Sequence, residues 1–204
     1  METAPQVDET RSIVLHAARG ALWDRDEGSL RIADICLASG FSSSTIYSNF
    51  RSRQGLIDAA YLEIYESITD NLVTILREAT MTVTSVASLS LYVRSQLADP
   101  TQRAFWQRSR HMRLRIATAA IARKSMQRDF SLLQDRYLAQ LSDLFATMQD
   151  RGVVAKVLEP RQMAIMFEGC LLFHSFNDIA LEPADDEGWT KMLMSVLGDV
   201  VVAP

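Results

Sequence analysis

The chain holds only two cysteines in 204 residues, Cys36 and Cys170, each inside an apolar helical pattern. That supply excludes a disulfide framework, and both read as small buried hydrophobes. Glycine and proline are scarce as well, eight and five, which argues against a turn-rich sheet protein and for helices. No apolar run approaches the ~20 residues that span a bilayer. The N-terminus METAPQVDET is polar and acidic, so the chain is expected to be cytoplasmic with no membrane partner. A glycine-rich phosphate loop, a nucleophile elbow and paired catalytic carboxylates are all missing, and nothing argues for an enzyme or a cofactor. With 48% apolar and 23% charged residues, the composition is that of a globular protein able to bury a core.

Two further absences concern acid. No Asp or Glu occurs from Gly40 to Gln54, and none from Thr101 to Arg128. The first gap lies in LRIADICLASGFSSSTIYSNFRSR, Leu30 to Arg53, which reads as two short helices around a tight turn. Ile32, Ile35 and Cys36 carry the first at i, i+3 and i+4. Gly40 can adopt the left-handed conformation that ends it, and Ser42 offers an N-cap to the second. There Ile46 and Phe50 face inward, leaving Ser43, Ser44, Tyr47 and Ser48 outward with Thr45 and Asn49 on the flank. Arg51 and Arg53 follow. Small polar residues at the start of a second helix, with arginines behind, suit a DNA major groove. The overall charge of −4 argues the other way, since affinity rests on phosphate neutralisation. Residues 1–53 carry six Arg against seven Asp or Glu, but most of these acids sit in the N-terminal segment and in Asp24–Glu27, away from the second helix.

Thr10 to Tyr61 resembles the DNA-binding head of TetR-type bacterial transcriptional regulators. The matching residues are Thr10-Arg11, Val14-Leu15, Ala17-Ala18, Asp34-Ile35, Ser39-Gly40-Phe41-Ser42, Thr45-Ile46-Tyr47, Phe50, Arg53 and Leu56. The resemblance implies DNA contacts by Arg31, Ser42, Ser43, Ser44, Thr45, Tyr47, Ser48, Asn49 and Arg53, of which Thr45, Tyr47, Asn49 and Arg53 hold phosphate. Asp26 stands where the family has a helix-ending Gly, which leaves Gly28 for that turn. Arg31 replaces a usual Thr cap, which leaves Ser29 as the candidate cap. The family also implies a homodimer of two heads on a palindromic double-stranded operator, with a small effector bound in the body. The function expected is a ligand-released repressor; the alternative is a helical small-molecule binder without DNA activity.

The fold class expected is all-α, with about nine helices. Residues 1–8 read as a mobile tail, 9–62 as a three-helix head with the helix-turn-helix, and 63–204 as a ligand-binding and dimerisation domain. Helix 1 is expected over Glu9–Trp23 with Ile13, Val14, Ala17, Ala21 and Leu22 inward. A long helix from Arg53 to about Thr80 crosses the boundary. Further helices are predicted over Ser85–Leu97, Thr101–Ile116, Thr118–Arg151 with Gly152 as C-cap, Pro160 to about Leu181, and onward from Asp185.

Three features of the body invite a role. The helix from Pro160 is apolar nearly all round and must bury two faces. It reads as a dimer contact formed by Ile165, Gly169, Leu172 and Phe176 with Trp189, Val196 and Val200, or else as the central helix of a monomer. A cavity for a largely apolar ligand is expected among Trp106, Tyr137, Phe167, Cys170 and His174. The acid-free run Thr101–Arg128 reads as a solvated face paired with Glu63, Glu66 and Asp70, or as a mouth for an anionic ligand. His174 and Asp178 stand i, i+4 on one helix, but no third ligand falls at usable spacing and no metal site is expected.

Overall fold

The structure is a computed structural model in which residues 4–154, 156 and 158–199 are described. Among these residues the regular structure is all helix: α1 Ala4–Asp24, α2 Ile32–Ser39, α3 Ser43–Phe50, α4 Arg53–Thr82, α5 Val86–Leu97, α6 Pro100–Ala122, α7 Lys124–Asp150, α8 Pro160–Asn177 and α9 Asp186–Asp199, with a 3-10 turn over Glu27–Ser29. None of these helices is long and apolar enough to cross a membrane. The chain forms two compact units, Met1–Ser67 with Ala119–Phe130, and Ile68–Thr118 with Ser131–Pro204. The first therefore includes a segment from the middle of the chain, where the sequence reading drew one cut at residues 62–63.

In the first unit α1, α2 and α3 pack on one another. Val14, Leu15, Ala18 and Leu22 of α1 meet Leu30, Ile35, Ile46, Phe50, Leu56, Ile57, Ala60 and Tyr61 in a buried core. The inward face of α1 thus lies slightly round from the one expected: Ile13 is 41% exposed, while Ala17 and Ala21 are half-buried. Apolar side chains on neighbouring turns left that rotation open, and packing against α2 and α3 set it. The helix also starts at Ala4, inside the segment read as a tail; residues 1–3 lie outside the described residues.

The second unit wraps a core of Val73, Leu89, Tyr137, Leu141, Phe145, Met148, Met163 and Phe167, among others, and α5 packs against α9. Ser85 caps α5 in a reciprocal capping box with Ser88. Glu159 and Gln162 form another at the start of α8, where Pro160 occupies the first turn. Gly152 takes φ 69° just after α7. The α6–α7 break lies at Arg123, not between Ile116 and Thr118. Thr118 hydrogen-bonds back to the Leu114 carbonyl at 2.9 Å inside a continuous helix, so its hydroxyl does not act as a cap. Arg123 makes the break: its carbonyl accepts from both Met126 and Gln127. The helix from Pro160 likewise ends at Asn177, four residues before Leu181.

Candidate nucleic-acid interface and ligand cavity

The turn between α2 and α3 is built as its residues dictate. Gly40 sits at φ 76° and its N–H closes onto the Cys36 carbonyl, a conformation free of steric cost only without a Cβ. Ser42 Oγ accepts from the Thr45 N–H at 3.2 Å and pairs with Thr45 Oγ1 at 2.9 Å. Ile46 and Phe50 hold α3 to the core. Ser43, Ser44, Tyr47 and Ser48 are exposed and Thr45 and Asn49 are half-buried. Ser48 Oγ turns back to the Thr45 carbonyl at 2.8 Å and Asn49 Nδ2 donates to the same carbonyl at 2.9 Å. Arg11 lays its guanidinium over the Phe50 ring, 4.6 Å from the centroid, and donates to the Asn49 carbonyl at 3.1 Å.

At the far end of α3 the chain turns sharply. Arg51 adopts φ 65°, the one described non-glycine residue with positive φ. Ser52 Oγ then accepts from the Gly55 N–H at 2.9 Å and caps α4. A Cβ on Gly55 would lie 2.2 Å from the Phe50 carbonyl oxygen, so this turn admits only glycine there. Arg53 is half-buried and bonds backbone carbonyls of the first unit. Its Nε donates to the Leu30 carbonyl at 2.8 Å and its Nη2 to the Glu27 carbonyl, tying the α1–α2 connection to α4. Arg31 is exposed at the head of α2 and makes no side-chain cap. Ser29 does not cap α2 either, since its hydroxyl bonds the Asp26 carbonyl at 2.7 Å. Arg51, exposed and next to α3, is a further candidate cation that is absent from the expected contact set. Its signal was present, a cation inside an acid-free run.

A cluster that sequence reasoning missed joins the α6–α7 break to the rest of the first unit. Arg123 donates to Asp58 at 2.9 Å and to Glu27 at 2.5 Å, and Ser125 Oγ donates to Asp58 at 3.1 Å. The hydrogen bond from Arg123 holds the Glu27 carboxyl below the usual carboxylate range, against the opposing effect of burial. Spacing offered no clue, because 65 and 96 residues separate the partners.

In the second unit a cavity of about 150 Å³ is lined by apolar groups of α4, α5, α6, α7, α8 and α9. Leu72, Ile75 and Leu76 of α4 reach it, as do Trp106, Phe167 and His174 of the expected set. Tyr137 and Cys170 do not line it: Tyr137 is buried in the core and the half-buried Cys170 packs against that core. Both cysteines are free thiols, half-buried rather than fully enclosed. Burial pushes the Cys170 thiol up. His174 stacks on Trp189 with centroids 4.2 Å apart and planes 9° from parallel. Desolvation, with Arg110 adding to it, pushes the His174 pKa down from 6.5 to about 4, so the imidazole is neutral near pH 7. Asp178 is not its partner. That carboxylate binds Arg110 in bidentate fashion at 2.9–3.2 Å and lies 3.0 Å from His111 Nε2. The described residues hold no cluster of metal-competent side chains.

The acid-free run finds acids in other elements: Arg103 pairs with Asp186, Arg110 with Asp178, Arg113 with Glu168, and Arg123 with Glu27 and Asp58. Glu63, an expected partner, pairs instead with Arg19 at 3.5 Å. A larger polar cleft of about 570 Å³ shares Arg110 and Thr190 with the cavity. It is braced by Arg94–Glu187 and Arg103–Asp186, so its charges already have partners. The apolar cavity is the better candidate for a ligand.

On the expected dimer face Ile165, Gly169 and Phe176 are exposed and Leu172 is half-buried. Phe173, also exposed, extends this face. Trp189 departs from it: only 6% exposed, it turns into its own unit. The side chain of Val196, and Val200 altogether, lie outside the described residues.

No protein-family model matches the chain. A stretch of 62 residues is 39% identical to the HTH-type transcriptional regulator AlkX of Mycobacterium tuberculosis, covering 30% of this chain and 29% of that protein. Solved structures match over the whole length. A TetR-family transcriptional regulator from Pectobacterium atrosepticum is 19% identical with a TM-score of 0.69, covering 100% of both chains. GusR of Salmonella enterica is 19% identical with a TM-score of 0.65, covering 98% of each. A protein from Saccharomonospora viridis, solved in complex with choline, is 20% identical with a TM-score of 0.63, covering 94% of this chain and 95% of that one. The helix-turn-helix head and the all-helical body together give this chain the fold of the TetR-family transcriptional regulators.

Proposed function

We propose that the chain is a DNA-binding transcriptional regulator of the TetR type, acting as a homodimeric repressor that a small molecule releases from a palindromic operator. The observation that carries this reading is α3 itself. It is anchored by Ile46 and Phe50, capped by Ser42, and offers solvent an acid-free polar face. Ser43, Ser44 and Ser48 are too short for the bidentate base contacts that Arg, Asn or Gln make. Positioning on phosphate by Thr45, Tyr47, Asn49, Arg31 and Arg51 therefore outweighs direct readout, and water-mediated contacts and DNA shape supply part of the specificity. Arg53 serves the interface by fixing the frame in which α3 sits. The exposed apolar face of α8 supports pairing of two copies, as two half-sites require.

For release, a ligand in the cavity must bind the two head arrangements with different affinity, or no switch follows. Helix α6 supports a route. Trp106, Ser109, Arg110 and Arg113 line the cavity, and the helix ends at Ala122, next to Arg123 with its bonds to Glu27 and Asp58. The test is selection from a random duplex library with the full chain at fixed salt. Enrichment of an inverted repeat with half-sites about one helical turn apart is expected. A pool that stays random, from protein shown to be folded, would leave the alternative of a ligand-binding protein without DNA activity.

A further inference from the structure

The cavity in the second unit is apolar at most of its wall, and four of its polar side chains fall into two kinds. Arg110 and Arg113 are already neutralised, Arg110 by Asp178 and Arg113 by Glu168. Ser109 and Trp189 differ. They are 1% and 6% exposed, both line the cavity, and neither Ser109 Oγ nor Trp189 Nε1 has a hydrogen-bond partner among the described residues. An unsatisfied buried polar group costs roughly 1–3 kcal/mol, and native proteins keep few without a reason. An indole N–H is a donor only, whereas a hydroxyl can donate or accept. The group that satisfies Trp189 must therefore be an acceptor. Stacking on His174 holds the indole ring in place, so the donor is set before any ligand arrives.

Charge and size narrow the ligand. A carboxylate entering this cavity would be desolvated without a free cation to meet it, because both lining arginines hold carboxylates of their own, and such burial is costly. A neutral acceptor carries no such cost. A volume of about 150 Å³ corresponds to the cavity size known to take one benzene-sized ring. Resting on the ligand-responsive reading above, we propose that the cavity binds a small neutral molecule of about one ring. That molecule is apolar but for an acceptor oxygen such as a ketone, ester or ether. Trp189 Nε1–H donates to that oxygen, and Ser109 Oγ binds a polar atom of the same ligand.

The test uses the full chain with nitrogen-labelled tryptophan. It contains three indoles, Trp23, Trp106 and Trp189, and substitution assigns each signal. Cyclohexanone, methylcyclohexane and cyclohexanecarboxylate are titrated at about pH 7.5: one ring size with an acceptor, with none, and with an anion. Cyclohexanone is expected to shift the Trp189 indole N–H signal and to bind about tenfold tighter than the hydrocarbon, the size of one buried hydrogen bond. Trp189→Phe and Ser109→Ala are each expected to cut that preference to about threefold or less, while hydrocarbon affinity changes less than about twofold. The hydrocarbon control shows that the variant cavity still folds. Hydrocarbon binding equal to ketone binding overturns the acceptor assignment but keeps the cavity as a ligand site. Preferred binding of the carboxylate overturns the neutral class and hands recognition to the arginines. Binding of none of the three overturns this inference together with the ligand-release reading, whereas DNA selection, measured separately, still decides the regulator reading.

Discussion

Arg51 and Arg53 stand two positions apart after α3, and their backbones and partners assign them different work. A sparsely populated backbone conformation costs a residue roughly 1–3 kcal/mol, and Arg51 bears one at φ 65°, ψ −36° with its side chain exposed. Such strain gathers where function needs a side chain in a given place. Arg51→Gly is therefore expected to raise unfolding free energy by about 0.5–1 kcal/mol while lowering the slope of log K against log salt by about 0.9. Urea unfolding and a salt series on the selected duplex measure both, and an unchanged slope would remove Arg51 from the phosphate contacts. Arg53→Ala should act the other way. Losing its bonds to the Leu30 and Glu27 carbonyls should cost about 1–3 kcal/mol with the salt slope kept. His174 makes a third case. Its folded pKa of about 4 lies below its ordinary 6.5, so the unfolded chain binds the extra proton first. The stability it contributes is complete above about pH 6.5 and is lost as pH falls towards about 4. Between about pH 7 and about pH 5 the loss is on the order of 2 kcal/mol. Chemical denaturation of the native chain and of His174→Gln at both pH values should show the variant losing less by about that amount; equal losses would refute a buried neutral imidazole.

At the scale of elements, α6 matters because of what lies along it. It presents Trp106, Ser109, Arg110 and Arg113 to the cavity, and the residue that ends it holds Glu27 and Asp58. Glu27, its carboxyl lowered by Arg123, contributes stability above the ordinary glutamate pKa, and that contribution is lost as pH falls through its own lowered value. Arg123→Ala leaves Asp58 buried with only Gln54 and Ser125 as partners, a loss of roughly 1–3 kcal/mol. If displacement of α6 reaches the head through this clamp, the variant should bind ligand and DNA separately within a few-fold of the native chain. Added ligand should then no longer change its DNA affinity. Mobility shifts with and without cyclohexanone read this directly, and full retention of ligand response would place the coupling elsewhere.

For the whole molecule, the exposed Ile165, Phe173 and Phe176 on one helix are the observation to account for. Phe173 and Phe176 sit 6.1 Å apart between ring centroids, an aromatic pair 63% and 52% exposed. A second copy covering this face would bury it and place two heads on one duplex. Light scattering should give twice the chain mass for the native protein. Phe176→Glu and Ile165→Glu should give the monomer with unchanged helix content and lose the inverted repeat in selection. A folded variant that stays dimeric would move the interface off α8.

Most of the helix order was legible in the sequence, because capping and turn residues act over three or four positions. Gly40, Ser42, Ser85, Pro160 and Gly152 ended or began helices where their chemistry demands, and the acid-free surface of α3 could be read from composition alone. What failed locally failed for lack of a signal, as at Arg123, where no glycine or proline marks the break, and at Ile13, where the apolar spacing of α1 fitted more than one rotation. The tertiary structure alone decided which distant groups meet. It brought Arg53 to the carbonyls of residues 23 and 26 positions away. It also took Trp189 from the expected dimer face into the cavity and gave Arg103, Arg110 and Arg113 of α6 their acids, Glu168 on α8, Asp178 just after it and Asp186 on α9. Capping depends on neighbours along the chain, whereas ion pairing and burial depend on which surfaces the folded helices bring together.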